Sequence, residues 1–94
     1  MARWEIVAWQ EIPAAVEAVD ENGQVTLQLS ERFQALIDSL AMQQGLEASD
    51  AYLEQWCKLP GGERPGSARE VGEAAVAEIE ARFMDYIGRA FRRA

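Results

Sequence analysis

The stretch RWEIVAWQEIP, residues 3–13, decides how this chain folds, because it sets two tryptophans five positions apart in a run that reads as one β-strand. Successive side chains of a strand point to opposite faces, so an odd separation sends Trp4 and Trp9 to different sides of a sheet. From Arg3 to Gln10 the residues favour β-structure, with Trp4, Ile6 and Ala8 on one face and Glu5, Val7 and Trp9 on the other. Pro13 then ends the strand or marks an edge.

Working outward, AAVEAVD (14–20) leads through Glu21 to Asn22-Gly23, the pair suited to a type I′ hairpin turn, and on to QVTLQLS (24–30). There Val25, Leu27 and Leu29 alternate cleanly with Gln24, Thr26 and Gln28. Ser30 is placed to cap a helix through ERFQALIDSLAMQQ, whose Phe33, Leu36, Ile37 and Leu40 share one stripe and which Gly45 terminates. DAYLEQWCKLP (50–60) reads by alternation as a fourth strand, separating Leu53, Cys57 and Leu59 from Tyr52, Trp56 and Lys58, although a short helix from Asp50 also satisfies its pattern. GGERPG reads as a loop. Ser67 and Glu70 have capping-box spacing and open a long helix with its stripe at Val71, Ala75, Val76, Ile79, Phe83, Ile87 and Phe91. Acids crowd its first half and Arg82, Arg89 and Arg92 its second, with Glu78–Arg82 and Asp85–Arg89 as i,i+4 pairs.

This order predicts an α+β fold: a small antiparallel or mixed sheet of three to four strands with two helices packed on one face. Residues 1–88 form a single domain, and 89–94 are its basic helix end. If Leu27, Ile6 and Leu53 face the helices, then Trp9, Val7, Tyr52 and Trp56 gather with Thr26, Gln28 and Lys58 on the opposite face. A chain of 94 residues buries only about two-thirds of its unfolded surface and has little left to cover those rings.

Composition narrows the chemistry. A net charge of -7 disfavours nucleic acid and anionic membranes as partners. Cys57 is the lone cysteine, so no intrachain disulfide forms; with no signal-peptide pattern and no apolar run of membrane length, the expected location is the cytoplasm. The absence of histidine removes Ser-His, Cys-His and histidine-metal sites from this chain. Gly61 and Gly66 have phosphate-loop spacing, but Ser67 stands where that loop needs lysine, and Glu63, Glu70 and Glu73 would repel a phosphate. The sixteen acidic residues show no calcium-loop spacing. No catalytic residue, metal or cofactor is expected.

What remains is a surface. Trp and Tyr dominate interface hot spots, which makes Trp9, Tyr52 and Trp56, with Lys58 beside them, the candidate contact set for a protein partner or a second copy. Stacked single-stranded nucleic acid is the other ligand such rings could take, but it needs a positive track, and residues 1–66 hold 11 acids against 4 bases. Arg89, Arg92 and Arg93 around Phe91 form a second candidate patch, for an acidic partner, or simply complement their own helix dipole.

MARWEIVAWQEIP, SERFQALIDSLAM, DAYLEQW and RPGSAREVGEAAVAEIEARF, in that order, resemble the small bacterial "virulence factor" domain family, and the resemblance runs to about Phe83. The same pattern is similar to a portion of conserved virulence factor C proteins, where it accompanies scaffold-like repeats. The resemblance implies an interaction or accessory role and carries over no catalytic residue. Two functions are therefore expected in order: a non-enzymatic interaction domain, and an accessory subunit of a bacterial metabolic enzyme.

Overall fold

The computed structural model of the protein describes residues 1–46 and 49–92, the side chain of Arg92 excepted. In chain order the elements are β1 (Ala2–Trp9), β2 (Ile12–Asp20), β3 (Gly23–Gln28), α1 (Glu31–Gln43), α2 (Asp50–Glu54), β4 (Trp56–Arg64), α3 (Ala68–Ala81) and α4 (Phe83–Arg92). The strands make one antiparallel sheet in the order β3-β2-β1-β4, so the α+β architecture expected from the sequence forms.

β1 answers the question its tryptophans raise. Its pairing with β2 is regular from Arg3↔Val19 to Val7↔Ala15, and its pairing with β4 is regular from Glu5↔Pro60 to Trp9↔Trp56. The two ladders overlap, so alternation along β1 is unbroken and Trp4 and Trp9 leave on opposite faces. Trp4 joins Ile6 towards Ala75 and Ile79 of α3; Trp9 joins Val7 and Glu5 on the other side. Bulges absorb the mismatches: Ala14 is the extra residue of β2, and Gly61 that of β4. Pro13 accordingly neither ends a strand nor marks an edge. It is the second residue of β2, beside the bulge, where a missing N–H is tolerated.

The β2–β3 hairpin forms, with a different turn. Asp20 pairs with Gly23, leaving Glu21 and Asn22 as the turn residues, and Asn22 does not take the positive φ that type I′ requires. Instead the Asp20 carboxylate organises the turn: Oδ1 accepts from the Asn22 N–H at 2.8 Å while Oδ2 accepts from the Ala68 N–H at 2.7 Å, tying the hairpin to the first turn of α3. These bonds, the one from Ala68 foremost, hold the Asp20 carboxyl below its ordinary range.

Ser30 occupies the N-cap of α1, but its hydroxyl is turned away from the helix. It donates to Glu80 Oε1 at 2.8 Å, its N–H donates to Glu80 Oε2 at 2.6 Å, and Arg32 pairs with the same carboxylate at 3.1 Å. One acidic side chain near the end of α3 thus fixes the start of α1. At the far end of α1, Gly45 takes φ 69° and stops the helix, and Gln44 bonds Gln10 in the β1–β2 turn at 2.8 Å. α1 therefore spans the end of the sheet, where Phe33, Leu36, Ile37 and Leu40 meet Trp9, Ile12, Val16, Leu29 and Ile79 in the core.

Two segments depart from the periodic reading. Residues 50–60 are half helix and half strand: Ser49 caps α2 by accepting the Tyr52 N–H, and β4 then runs through Pro60-Gly61-Gly62 to Arg64, where a loop was expected. Glycine is needed there because the Trp4 ring lies on the strand; a Cβ at Gly61 would sit 2.3 Å from the indole and 2.5 Å from the Trp4 carbonyl oxygen. The long C-terminal helix begins at the expected Ser67 capping box but ends at Arg82, and α4 starts at Phe83. The break lets Phe83 and Tyr86 meet Phe33 edge-on, at ring separations of 4.9 and 5.9 Å, which a straight helix would carry past α1.

Gly61→Ala is expected to destabilise the fold by about 1–3 kcal/mol or more, since neither the indole nor the backbone it meets can withdraw; urea denaturation measures the loss. Glu80→Gln tests the second junction. Burial raises the Glu80 carboxyl, but the bonds from Ser30 and Arg32 outweigh it and leave the group below its ordinary value. Its stabilisation is therefore present above the ordinary glutamate pKa of about 4.3 and is lost as pH falls through the lower folded value. The variant should melt several degrees below the parent at pH 7, roughly 4–8 °C for each kcal/mol lost, and the two curves should converge in acid.

Candidate partner-binding face

The rings singled out in the sequence do come together. Trp9 and Tyr52 have centroids 5.5 Å apart, and Tyr52 and Trp56 6.2 Å apart in a T-shaped contact. Their exposure differs from expectation. Trp9 is 0% exposed because α2, formed from residues read as strand, closes over it. Its indole N–H donates to the Tyr52 carbonyl at 2.9 Å, satisfying the one polar atom of the ring. Tyr52 and Trp56 are half-buried and border this patch, while Leu53, expected against the helices, is 65% exposed. Trp9 is thus the floor beneath the face, and only its two aromatic neighbours reach the surface.

Beyond α2 the same side of the sheet is open. A cavity of about 610 Å³ lies over it, lined among others by Arg3, Glu5, Glu17, Val19, Lys58 and Glu63. Lys58 stands opposite Val7, and Glu17 opposite Glu5, so the Lys58 side chain reaches diagonally across β1 to place Nζ 2.8 Å from Glu17 Oε1. That bond, with further attraction from Glu17 and Glu5, raises the Lys58 ammonium above its ordinary value. Half of the Lys58 side chain remains accessible. The face offers both signs of charge with Val19 among them, a surface that can specify register to a complementary partner.

A further grouping was not legible in the sequence. Arg64 lies over the Trp4 ring at 4.7 Å and grips Glu78 with two bonds of 2.6 and 2.8 Å. Glu78, expected to pair with Arg82 along its own helix, makes its direct bonds to Arg64 of β4; the Arg64 bond foremost, with weaker attraction from Arg82, lowers its carboxyl. A pair of adjacent glycines facing a strand tryptophan was the available signal, and it was masked by reading those glycines as loop. Arg89 sits on α4 over the Tyr86 ring at 5.5 Å and does not join the Lys58 face. The Arg92 side chain and Arg93 fall outside the described residues.

Cys57 is exposed on β4, with Sγ 3.5 Å from the Gln10 carbonyl oxygen. Among the described residues no group of three metal-ligating side chains occurs, and no helix is long and apolar enough to cross a membrane.

The family model described as "Virulence factor" matches residues 7–86, from the middle of β1 into α4. No curated protein and no solved structure matches the chain.

Lys58 is the single lysine of the sequence, so its titration can be followed without ambiguity by the side-chain NMR signal. Glu17→Gln should lower it towards the ordinary lysine value of about 10.4, with the attraction from Glu5 remaining. Because the folded value is raised, the stabilisation from this pair is fully present below that ordinary value and disappears as pH climbs through the folded one. The parent should thus be slightly more stable than the variant at pH 8 and indistinguishable from it in strong alkali.

Proposed function

The chain belongs to the virulence factor family, and on that footing we propose that it is a non-enzymatic, cytoplasmic protein-interaction domain. It binds a protein partner through the sheet face around Lys58, with Tyr52 and Trp56 as the aromatic border of the contact. The observation that carries this reading is the division of that face: α2 lies against Trp9 over its lower half, and the upper half, with its mixed charges, is left without a covering element among the described residues. Half-buried aromatic rings next to an open charged surface are the arrangement from which hot spots and their polar surrounds are built. The lone exposed Cys57 is compatible with a reducing compartment.

A photo-crosslinking residue placed at Val19, within the open face, should give a discrete adduct in cells. The same residue at Ala77, exposed on α3, should not. Lys58→Gln should abolish the Val19 adduct while leaving the melting temperature nearly unchanged, since the pair it removes lies at the surface and no like charge is brought against Glu17 and Glu5. Identical labelling from both positions, or none from Val19, would sink the reading.

A further inference from the structure

On the opposite side of the sheet a smaller groove lies between β1, β4 and the α3–α4 break. It encloses about 170 Å³ and is lined by Trp4, Ile6, Ala75, Ile79, Arg82 and Tyr86, with Pro60, Gly61 and Glu78 at its margin. Its accessible walls are divided about evenly between polar and apolar atoms, with the Trp4 and Tyr86 rings among them. Its polar groups are mostly donors: the Trp4 indole N–H, the Tyr86 hydroxyl and the Arg82 guanidinium, none of which is hydrogen-bonded or ion-paired by its side chain to another described residue. None of these side-chain polar atoms is fully buried, so each still meets solvent.

Charge singles this groove out within an acidic protein. Glu78, the carboxylate at its margin, is bonded by both guanidinium nitrogens of Arg64 and attracts Arg82 from a distance, so the Arg82 guanidinium keeps its donors free of any direct ion pair among the described residues. An unpaired guanidinium presents a planar fork of donors suited to a carboxylate. Size restricts what can accompany that carboxylate. Cavities of about 150 Å³ accept a benzene ring, whereas sites for drug-sized ligands begin near 300 Å³.

We propose that this groove is a binding site for a small organic monocarboxylate of benzoate size. The ring or short alkyl body lies against Ile6, Ala75 and Ile79 beside the Trp4 indole, and the carboxylate engages Arg82 with the Tyr86 hydroxyl. The Lys58 side chain lies across the sheet from this groove, and Trp4, Pro60 and Gly61 border both cavities. The groove lies beside the α3–α4 break at Arg82, with Tyr86 packed on Phe33 and lining it together with Trp4.

Sodium benzoate titrated into isotopically labelled protein supplies the test, read at the three tryptophan indole N–H signals. A saturable shift is expected at Trp4, while Trp9, sealed under α2, stays put and reports that the fold is intact. Benzamide, which has the same shape without the charge, should bind at least tenfold more weakly. Arg82→Ala should weaken benzoate by about tenfold with Arg82→Lys recovering part of the loss, and Tyr86→Phe, which keeps the ring packed on Phe33, should weaken it a few-fold. The proposal is overturned if the Trp4 signal shifts without saturating, if benzamide binds as well as benzoate, or if Arg82→Ala binds like the parent.

Discussion

A fully buried indole cannot leave its N–H unsatisfied, and much of this molecule is arranged around meeting that requirement for Trp9. The acceptor is the Tyr52 carbonyl, which lies in the last turn of α2 only if residues 50–54 coil before the chain enters β4. That short helix has no buried residue of its own and would be marginal in isolation. It persists because it is tied at both ends, by the Ser49 cap and by the Gln10 N–H bonded to the Gln55 carbonyl at 3.0 Å. The β1–β2 turn, α2 and the start of β4 therefore form one unit, with the indole at its centre.

Trp4 meets the opposite problem. It stands at the other end of β1 with less of the chain to cover it, and its ring is flanked by the Gly61-Gly62 backbone and the Arg64 guanidinium. Arg64 in turn reaches Glu78 of α3, so the aromatic contact and the ion pair lash the β4 edge to the helix layer. The two tryptophans of one strand thus anchor the two faces of one sheet by different means: a neutral hydrogen bond under a helix, and a cation over a half-buried ring.

How much of this could be read in advance follows from which interactions are local. The strand alternation of β1, the opposite faces of its tryptophans, the hairpin, the Ser67 capping box and the helical stripe of α1 are set by neighbours in sequence, and they were legible. Alternation predicts Trp9, Tyr52 and Trp56 on one face, and the three rings do meet, but Tyr52 arrives there on α2 rather than by strand alternation. What covered Trp9 was not, since α2 is stabilised by Trp9 itself, more than forty residues away. The break at Arg82 carries no proline or glycine to announce it; it is imposed by the docking of Phe83 and Tyr86 on Phe33. The turn at Asp20 was misread for the same reason: its carboxylate serves Ala68, forty-eight residues on, as well as its own turn.

The open face and the edge beside it invite different kinds of association, and the chain discriminates between them. β4 borders the sheet for nine residues, and an unpaired edge of that length is a template for another strand. Here it carries Pro60, which lacks an N–H, a bulge at Gly61, and Lys58, whose bulk and charge stand over the face. Each of these discourages edge-to-edge pairing, and together they make indefinite strand addition a poor mode of contact. The face is left unprotected by comparison: its charges include the Lys58–Glu17 pair and do not form a uniform repulsive field. A domain this small cannot cover both sides of its sheet, and the residues spent on α2 go to sealing one indole. What remains open is therefore the part of the sheet whose polar side chains make exposure tolerable.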